Sequence, residues 1–253
     1  MAKLSGYLLL SAVILAAGYV LLGRPSADLE FRPLAWPEGF RELVIENAAT
    51  RSDAMPMSTE TARVGATVRA RKNLGEDVCR TLFRDPASPA TGGDSAKVVL
   101  VEFFDYRCPY CKTLAGTIRR LERERPVRIV YKEWPILGEA STLAARAALA
   151  AARQGKYREF HRSLMQSGFV PTTAYIDALA AELGMDRSRL HADMNGSEVT
   201  LAISRTAALA AALGLVGTPS LVVGRTMVHG AVSGAQLESL IALEASEGRA
   251  IRC

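Results

Sequence analysis

The stretch Val98-Val-Leu-Val-Glu-Phe-Phe-Asp-Tyr-Arg-Cys-Pro-Tyr-Cys111 carries the strongest fold signal in the chain. Its first part is a largely apolar run of the kind found in strands that are buried on both faces of a sheet. The residues that follow, 112–124, have a helical pattern, so Cys108 and Cys111 stand at a predicted helix N-terminus. The unpaired amides and the dipole of a helix N-terminus stabilise a thiolate on the first sulfur. Strand, Cys-x-x-Cys and helix in this order therefore predict a redox-active cysteine pair.

The residues after this unit predict the rest of an α/β domain. A second strand at 127–131 is reached through the helix and completes a βαβ unit. Helical patterns dominate residues 141–213, a hairpin is predicted at 219–229, and the capping box Ser233-x-x-Gln236 begins a last helix. The predicted order is therefore strand, helix, strand, a block of helices, two strands and a helix.

The composition is that of a folded protein without a nucleic-acid surface. The chain has 253 residues, of which 49% are hydrophobic, and this is enough to bury a substantial core. The net charge of +5 comes from scattered basic residues. They are not interleaved with Tyr and Phe, as a base-stacking surface would need. We therefore expect no nucleic-acid partner.

Residues 4–23 form an uncharged, largely apolar run near the N-terminus. Its length of about 20 residues is that of a helix that spans a bilayer, and it exceeds the usual apolar core of a cleaved signal peptide. We therefore predict an uncleaved signal-anchor at 1–23 with Lys3 on the inner side of the membrane. A cleaved signal peptide is the alternative. In either case the remaining chain is exported.

By composition the exported part divides into an extension, 24–95, and a main domain, 96–253. The extension begins as a tether, has helical patches at 38–47 and 60–83, and ends in a linker rich in Pro and Gly. It is too short to bury a core of its own. We therefore expect it to lie against the main domain, or to serve as an arm for homo-oligomerisation through residues 37–84.

The four cysteines of an exported chain favour disulfide chemistry over zinc, because the compartment outside the membrane is oxidising. Cys79 and Cys253 are isolated in the sequence, and the three histidines form no cluster. No metal site and no cofactor are therefore predicted. An even number of cysteines suggests a structural disulfide between Cys79 and Cys253. A free or intermolecular thiol is the alternative.

Thr218-Pro219 lies just before the first strand of the predicted hairpin. A proline at this place removes an edge donor and can adopt the cis form, which leaves a neighbouring backbone edge free to pair with an extended substrate peptide. A simple strand-start proline is the alternative. The Cys-Pro-Tyr-Cys unit in the same domain favours the substrate-binding interpretation.

Val-Glu-Phe-Phe-Asp-Tyr-x-Cys-Pro-Tyr-Cys, the helical block and Gly-Thr-Pro before the final ββα together resemble the DsbA-like thiol:disulfide oxidoreductases of bacterial envelopes. The resemblance covers about residues 96–247. It implies a thioredoxin fold with an inserted helical domain at about 139–195. It also implies a location at the periplasmic face of the bacterial inner membrane, or in the soluble periplasm if the N-terminal segment is cleaved. Implied partners are exported cysteine-containing proteins and a membrane redox partner that resets the cysteine pair.

The resemblance assigns roles to the motif residues. It places the attacking cysteine on Cys108 and the resolving cysteine on Cys111. The cis-proline of the family falls on Pro219, with Thr218 before it. We therefore expect Thr218 and Pro219 to contact a bound substrate beside the cysteine pair.

The positions of the two thiols on the helix predict how they differ. Cys108, at the start of the helix, is expected to have a lowered pKa and to be the exposed sulfur that forms mixed disulfides. Cys111, one turn further along and more buried, is expected to resolve them. Pro109 and Tyr110 lie between them at the substrate-binding surface. They are expected to tune the stability of the reduced thiolate and hence the reduction potential.

Glu102 and Lys132 are charged residues in apolar strand patterns, where a lone charge is costly. Parallel neighbouring strands can bring the two together beneath the cysteine pair. In the resembling family an acidic residue at the position of Glu102 influences proton transfer. We therefore predict proton handling by Glu102, with Lys132 as its partner and Glu133 as the competing choice.

The leading functional hypothesis is a membrane-tethered thiol:disulfide oxidoreductase. It exchanges a Cys108–Cys111 disulfide with thiols of exported proteins and so assists oxidative folding in the cell envelope. An oligomeric disulfide isomerase or reductase that uses the same pair is the alternative. A chaperone-like binding module with a static disulfide is a hypothesis from a different class.

Overall fold

The computed structural model describes residues 29–45, 77–93 and 95–248. Their strands are β1 (Glu30–Pro33), β2 (Arg41–Val44), β3 (Ala90–Thr91), β4 (Val98–Phe104), β5 (Val127–Glu133), β6 (Ser220–Val223) and β7 (Thr226–His229). These strands form one sheet in the order β1-β2-β7-β6-β4-β5-β3. β4 is parallel to β5 on one side and antiparallel to β6 on the other. The predicted strands at 98–104 and 127–131 and the predicted hairpin are therefore confirmed.

The helices follow the predicted order. Those with both ends described are α1 (Pro109–Glu124), α2 (Glu139–Ala152), α3 (Tyr157–Gln166), α4 (Thr173–Glu182), α5 (Arg187–Met194), α6 (Ser197–Ala212) and α7 (Gly234–Glu247). Helices α2 to α5 form the inserted block, and α6 leads from it to β6. The capping box at Ser233 and Gln236 begins α7, as predicted. The chain therefore has the predicted thioredoxin-like α/β fold with a helical insertion.

Each face of the sheet carries its own hydrophobic cluster, because successive strand side chains point to opposite faces. Leu100 and Phe104 of β4 pack in the cluster that contains residues of α1, α2, α3 and α7. Val101 and Phe103 pack in the second cluster with α6 and the helical segment 77–84. We call these two sides the α1 face and the α6 face. Since β4 is apolar toward both, it lies at the centre of the core.

The extension differs from its prediction near residue 41. Residues 41–44, inside the predicted helical patch at 38–47, form β2, which pairs in parallel with β7. Leu43 packs on the α1 face, whereas Phe40 packs on the α6 face. Residues three positions apart, like Phe40 and Leu43, point to opposite faces of an extended chain, whereas in a helix they lie on the same face. Tertiary pairing therefore overrides the helical pattern here.

The predicted linker also joins the sheet, since Ala90–Thr91 form β3 antiparallel to β5. Residues 77–84 are helical, and three of their side chains enter the cluster on the α6 face: Val78, Leu82 and Phe83. The described parts of the extension thus lie against the main domain. Residues 46–76, which hold the middle of the predicted oligomerisation arm, lie outside the described residues.

Two further predictions fall on parts of the chain that the structure does not describe. The predicted signal-anchor at 1–23 is one of them, and no helix of the described ranges is long and apolar enough to cross a membrane. The other is the disulfide between Cys79 and Cys253. Cys79 lies in the helical segment 77–84, but Cys253 is outside the described residues, so this disulfide stays a prediction.

Candidate active site

The cysteine pair lies at the N-terminus of α1, shortly after β4 ends. Cys108 is the N-cap residue, with an extended backbone (φ −73°, ψ 116°), and Pro109 is the first helical residue. The backbone N–H of Cys111 donates a hydrogen bond to Cys108 Sγ at 3.4 Å. Both cysteines are free thiols. The end of β4 therefore positions Cys108 Sγ at the N-terminus of α1, next to the unpaired backbone amides of the helix.

The pKa values of the two thiols move in opposite directions. A hydrogen bond from the Cys111 side chain lowers the pKa of Cys108 to about 6, against the effect of burial and with help from the Cys111 N–H. The hydrogen bond to Cys108, burial and the nearby Glu102 carboxylate all raise the pKa of Cys111. Cys108 is therefore a thiolate at neutral pH, while Cys111 keeps its proton.

Thr218 and Pro219 lie directly beside Cys108. Cys108 Sγ lies 3.2 Å from the backbone carbonyl oxygen of Thr218, to which the protonated form of the thiol donates a hydrogen bond. The Thr218–Pro219 peptide bond is cis, as the sequence resemblance implies. Cys108 is 3% exposed and Cys111 is fully buried. The sequence predicts Cys108 as the exposed sulfur, but it is buried, because the Thr218 backbone lies against it.

Exposed apolar side chains lie on the segments that adjoin the cysteine pair. Tyr110, in the first turn of α1, is 65% exposed, and Val216, two residues before Thr218, is 79% exposed. Two loops are hydrogen-bonded to residues that flank the pair, through the carbonyl oxygens of Leu137 and Ser167. The exposed apolar side chains of these loops are Ile136, Leu137, Phe169 and Val170.

Glu102 is the buried carboxyl group that the sequence predicts beneath the pair. It lies in the middle of β4, in register with Tyr131 of β5 and Leu221 of β6, and it is fully buried. Neither of its carboxyl oxygens has a hydrogen-bond partner among the described residues. Burial, followed by the Cys108 thiolate, raises the pKa of Glu102 to about 8. The group therefore exchanges its proton near neutral pH.

Lys132 does not pair with Glu102, and the predicted partnership is wrong. Lys132 is in register with Phe103, the neighbour of Glu102 in β4, so it points to the α6 face and Glu102 to the α1 face. Lys132 Nζ donates to Thr81 O at 2.5 Å and lies 3.7 Å from Asp85 Oδ2. Its ammonium group therefore attaches the end of the extension to the sheet.

Glu133, the competing choice, lies on the α1 face and forms a buried cluster that the sequence did not predict. Glu133 Oε1 accepts hydrogen bonds from Tyr106 Oη at 2.8 Å and from Tyr157 Oη at 3.0 Å. Tyr106 Oη is also 3.0 Å from His161 Nδ1. Burial raises the pKa of Glu133 and lowers that of His161 to about 3. The cluster connects α3 of the insertion to the segment before Cys108.

Asp105 fixes the same segment from the other side. Its carboxylate accepts hydrogen bonds from the backbone N–H groups of Arg107, Ile136 and Leu137 at 2.7, 2.9 and 3.0 Å, and from Ser141 Oγ at 2.7 Å. In the sequence, these contacts could have been inferred from the polar residues Asp105 and Tyr106, which lie between the apolar strand and Cys108. Together Asp105 and the Glu133 cluster hold the backbone that presents Cys108.

The remaining candidate ligands of the described chain do not form a metal site. No group of three or more His, Cys, Asp or Glu side chains within these residues is arranged to hold a metal ion. His161 contacts Tyr106, and His191 Nε2 lies 2.6 Å from Asp177 Oδ1. These two histidines therefore have protein partners.

Comparison with known protein families supports a redox-active cysteine pair at this site. A family model described as a DSBA-like thioredoxin domain matches residues 99–242, which is more than half of the chain. The matched range contains all but the first residue of β4, the cysteine pair, the helical insertion, the cis-proline and most of α7. The chain therefore belongs to the DsbA-like thioredoxin-domain family.

Solved structures give the same assignment. A thioredoxin-like oxidoreductase from Silicibacter pomeroyi DSS-3 is 44% identical, with a TM-score of 0.64 over 66% of this chain and 97% of that one. A periplasmic thioredoxin-like protein from Salmonella enterica serovar Typhimurium is 32% identical, with a TM-score of 0.62 over 67% of this chain and 96% of that one. The thiol-disulfide exchange protein α-DsbA2 from Wolbachia pipientis is 25% identical, with a TM-score of 0.63 over 72% and 99%.

Curated relatives include longer proteins. The Na(+)/H(+) antiporter NhaA 3 of Salinispora tropica is 31% identical over 179 residues, which are 67% of this chain and 27% of the antiporter. The chain thus spans about a quarter of the length of the first curated relatives that it matches.

Proposed function

We propose that this protein is a thiol:disulfide oxidoreductase that exchanges a Cys108–Cys111 disulfide with thiols of exported proteins. The position of Cys108 Sγ carries the proposal. It lies at the N-terminus of α1 and 3.2 Å from the carbonyl oxygen of Thr218, which precedes a cis-proline. A static disulfide needs neither a lowered thiol pKa nor a neighbouring peptide edge. The geometry therefore favours an enzyme over a binding module.

In the oxidising direction a substrate thiolate attacks Cys108 Sγ, and the Cys108–Cys111 bond breaks. The electron pair leaves on Cys111, which takes up a proton, and the substrate is held on Cys108 as a mixed disulfide. A second substrate thiolate attacks the substrate sulfur of that mixed disulfide. This forms the substrate disulfide and releases Cys108 as a thiolate, which leaves readily because its pKa is about 6.

Stabilisation of the Cys108 thiolate supports oxidation as the favoured direction. A more stable reduced form makes the disulfide form a stronger oxidant, by about 30 mV for each 1.4 kcal/mol. The isomerase or reductase alternative depends on homo-oligomerisation through residues 37–84. Residues 46–76 of that arm lie outside the described residues, and no observation favours this alternative.

Glu102 is proposed as the proton carrier of Cys111. Its carboxyl group has no hydrogen-bond partner in the described chain, and its charge raises the pKa of Cys111. A protonated Glu102 donates to Cys111 when the Cys108–Cys111 bond breaks, and the carboxylate accepts that proton when the bond forms again.

The proposed substrates are exported proteins with reduced cysteines in unfolded segments. The exposed side chains of Tyr110 and Val216, beside the cysteine pair, suit apolar segments of an unfolded chain. The similarity to a periplasmic protein supports a periplasmic location. The segment 1–23 is proposed to attach the protein to the inner membrane, or to be cleaved. A membrane redox partner is proposed to restore the disulfide.

Trapping of mixed disulfides tests the proposal. Replacing Cys111 by Ala should leave substrates attached to Cys108, because no resolving thiol remains to release them. Incubation of oxidised, unfolded model proteins with this variant, followed by non-reducing electrophoresis, should give adducts that dithiothreitol releases. The matched control, Cys108→Ala, should give none. Equal adduct formation by both variants, or by neither, would contradict the proposed enzyme.

A further inference from the structure

A groove with a volume of about 800 Å³ runs between α1 and α3. Contacts between the two helices mark its ends. Lys112 Nζ, near the start of α1, donates a hydrogen bond at 2.5 Å to the carbonyl oxygen of Ser167, just after α3. Arg158 Nη2, near the start of α3, lies 3.1 Å from Glu122 Oε1, near the end of α1. The helices are therefore antiparallel, and the groove extends along α1 from the cysteine pair.

Basic side chains dominate the lining of this groove. The basic residues are Lys112, Arg119, Arg123, Arg158 and Arg162. The same two helices contribute two acidic residues to the lining, Glu122 and Glu159. Ile118 and Met165 also line the groove, and both are almost fully buried. The groove therefore combines a positively charged rim with an apolar floor.

The arginines of the rim are placed where they repel one another. Arg119 and Arg123 are four residues apart in α1, so they lie on one face of that helix. Arg158 and Arg162 have the same spacing in α3. Like charges at this spacing destabilise a helix. In the part of the chain that the structure describes, only Arg158 of these four takes part in an ion pair. An anionic ligand between the helices would relieve the repulsion.

The position and length of the groove suit a segment of a substrate protein. Lys112 directly follows Cys111, so the groove begins at the cysteine pair. Between Lys112 and Arg123 the helix rises by about 17 Å, since each residue contributes 1.5 Å. This is the length of about five residues of extended chain. A substrate whose cysteine reacts with Cys108 can therefore place neighbouring residues in the groove.

We propose that the groove between α1 and α3 binds an acidic segment of the substrate protein, next to the cysteine that reacts with Cys108. Carboxylates of the segment pair with the arginines of the rim, and its apolar side chains pack on the floor. The proposal rests on the proposed function and names a preferred class of substrate. The segment forms no covalent bond in the groove, so the exchange reaction at Cys108 proceeds as described above. Charge attraction should mainly raise the rate of encounter.

Three peptides test this proposal. Each has two cysteines and, on both sides of them, a five-residue block in which Leu alternates with Glu, Gln or Lys. The oxidised full chain, in a neutral detergent, oxidises each peptide at about 0.01 M salt, where charges act over about 30 Å. Each rate constant is divided by that of the same peptide with a small neutral disulfide, which corrects for the reactivity of the peptide thiols. The Glu peptide should react on the order of tenfold faster than the Gln peptide, and about 1 M salt should abolish the difference.

Charge reversal identifies the groove as the site. The double variant Arg119→Glu, Arg162→Glu should react faster with the Lys peptide than with the Glu peptide. A purely structural defect would slow all three peptides alike. The matched control is Arg84→Glu, Arg187→Glu, which changes the net charge equally at two exposed arginines outside the groove. This control should keep the preference for the Glu peptide.

Equal rates for the Glu and Gln peptides with the wild type would overturn the proposal, as would loss of the preference in the control variant. Binding of phosphatidylglycerol micelles that requires Arg119 and Arg162, without any preference among the peptides, would identify a lipid headgroup as the occupant and also overturn it. If the double variant does not fold, Arg162→Glu alone, at an exposed position, decides the question. Failure of the docking leaves oxidation of all three peptides intact, whereas failure of the proposed function abolishes it, so the two outcomes are distinguishable.

Discussion

Replacing Cys108 by Ala is expected to lower the rate of disulfide exchange with substrate proteins by at least about a thousandfold. Cys108 is the thiol whose pKa falls to about 6, and Cys111 is fully buried with a raised pKa. Cys111 therefore cannot take over as the nucleophile. Attack of each reduced variant on the disulfide of an oxidised, unfolded protein, measured as formation of the mixed disulfide, gives the rate.

Cys111→Ala is the matched comparison for this prediction. It should also lose turnover, but its Cys108 should still react once with an activated disulfide. The two variants differ by position alone, since each removes one thiol of the same pair. If Cys108→Ala retained more than about a tenth of the wild-type rate, Cys108 would not be the attacking residue.

Replacing Glu102 by Gln is expected to make the reduced protein more stable at neutral pH and slower as a catalyst. Burial holds the pKa of Glu102 at about 8, against an ordinary value of 4.5. Below pH 4.5 the group is protonated in both the folded and the unfolded chain, so its ionisation costs nothing. Between these two pKa values Glu102 is ionised in the unfolded chain but protonated in the folded chain. The free energy of unfolding of the wild type therefore falls as pH rises through this range.

Gln mimics the protonated carboxyl group at every pH and removes this loss. Each pH unit between the two values corresponds to about 1.4 kcal/mol. The free energy of unfolding of Glu102→Gln should therefore equal that of the wild type near pH 4, and exceed it by roughly 3 kcal/mol at pH 7. Urea denaturation of the reduced proteins at both pH values measures this difference. Glu182→Gln, at an exposed glutamate, is the control and should show no such trend.

The same substitution should slow the breakage of the Cys108–Cys111 bond, because a Gln amide cannot donate the proton that Cys111 needs. Loss of a general acid lowers rates by about a hundredfold or more. Because burial raises the pKa of Glu102, the rate of this step in the wild type should fall at alkaline pH, where the carboxyl group loses its proton. Glu102→Gln should show no such inflection. A variant that is neither more stable nor slower would mean that Glu102 is ionised and uninvolved.

The elements that the sequence predicts well are those whose signals are local. The apolar run of β4, the helical pattern of α1 and the Cys-x-x-Cys between them are contiguous, and each follows from the residues themselves. Their order along the chain places Cys108 at a helix N-terminus without any knowledge of distant contacts. The position of Pro219 beside Cys108 came from the family resemblance, because 110 residues separate the two contacting segments.

The features that the sequence did not predict depend on register and on distant partners. A shift of one residue decides whether a strand side chain points to the α1 face or the α6 face. Lys132 and Glu133 are adjacent, and the pattern alone does not say which of them shares a face with Glu102. The hydrogen bonds of Glu133 come from Tyr106 and Tyr157, which belong to different elements, so no spacing within one segment reveals them.

The short strands of the extension were missed for a similar reason. β2 and β3 have four and two residues, and they are stable because β7 and β5 supply their hydrogen-bond partners. Arg41 of β2 also binds Glu244 and Glu247 of α7. None of these contacts is visible in the local pattern, which favours a helix at 38–47.

A titration of the Cys108 thiolate tests the central claim most directly. The ultraviolet absorbance of the thiolate, recorded against pH for the reduced protein and for Cys108→Ala as the blank, reports this group alone. We predict a midpoint at about pH 6, because Cys111 donates hydrogen bonds to Cys108 Sγ from its side chain and its backbone. A midpoint near the ordinary thiol value of about 8.5 would contradict the account, since Cys108 would then be neither an activated nucleophile nor a good leaving group.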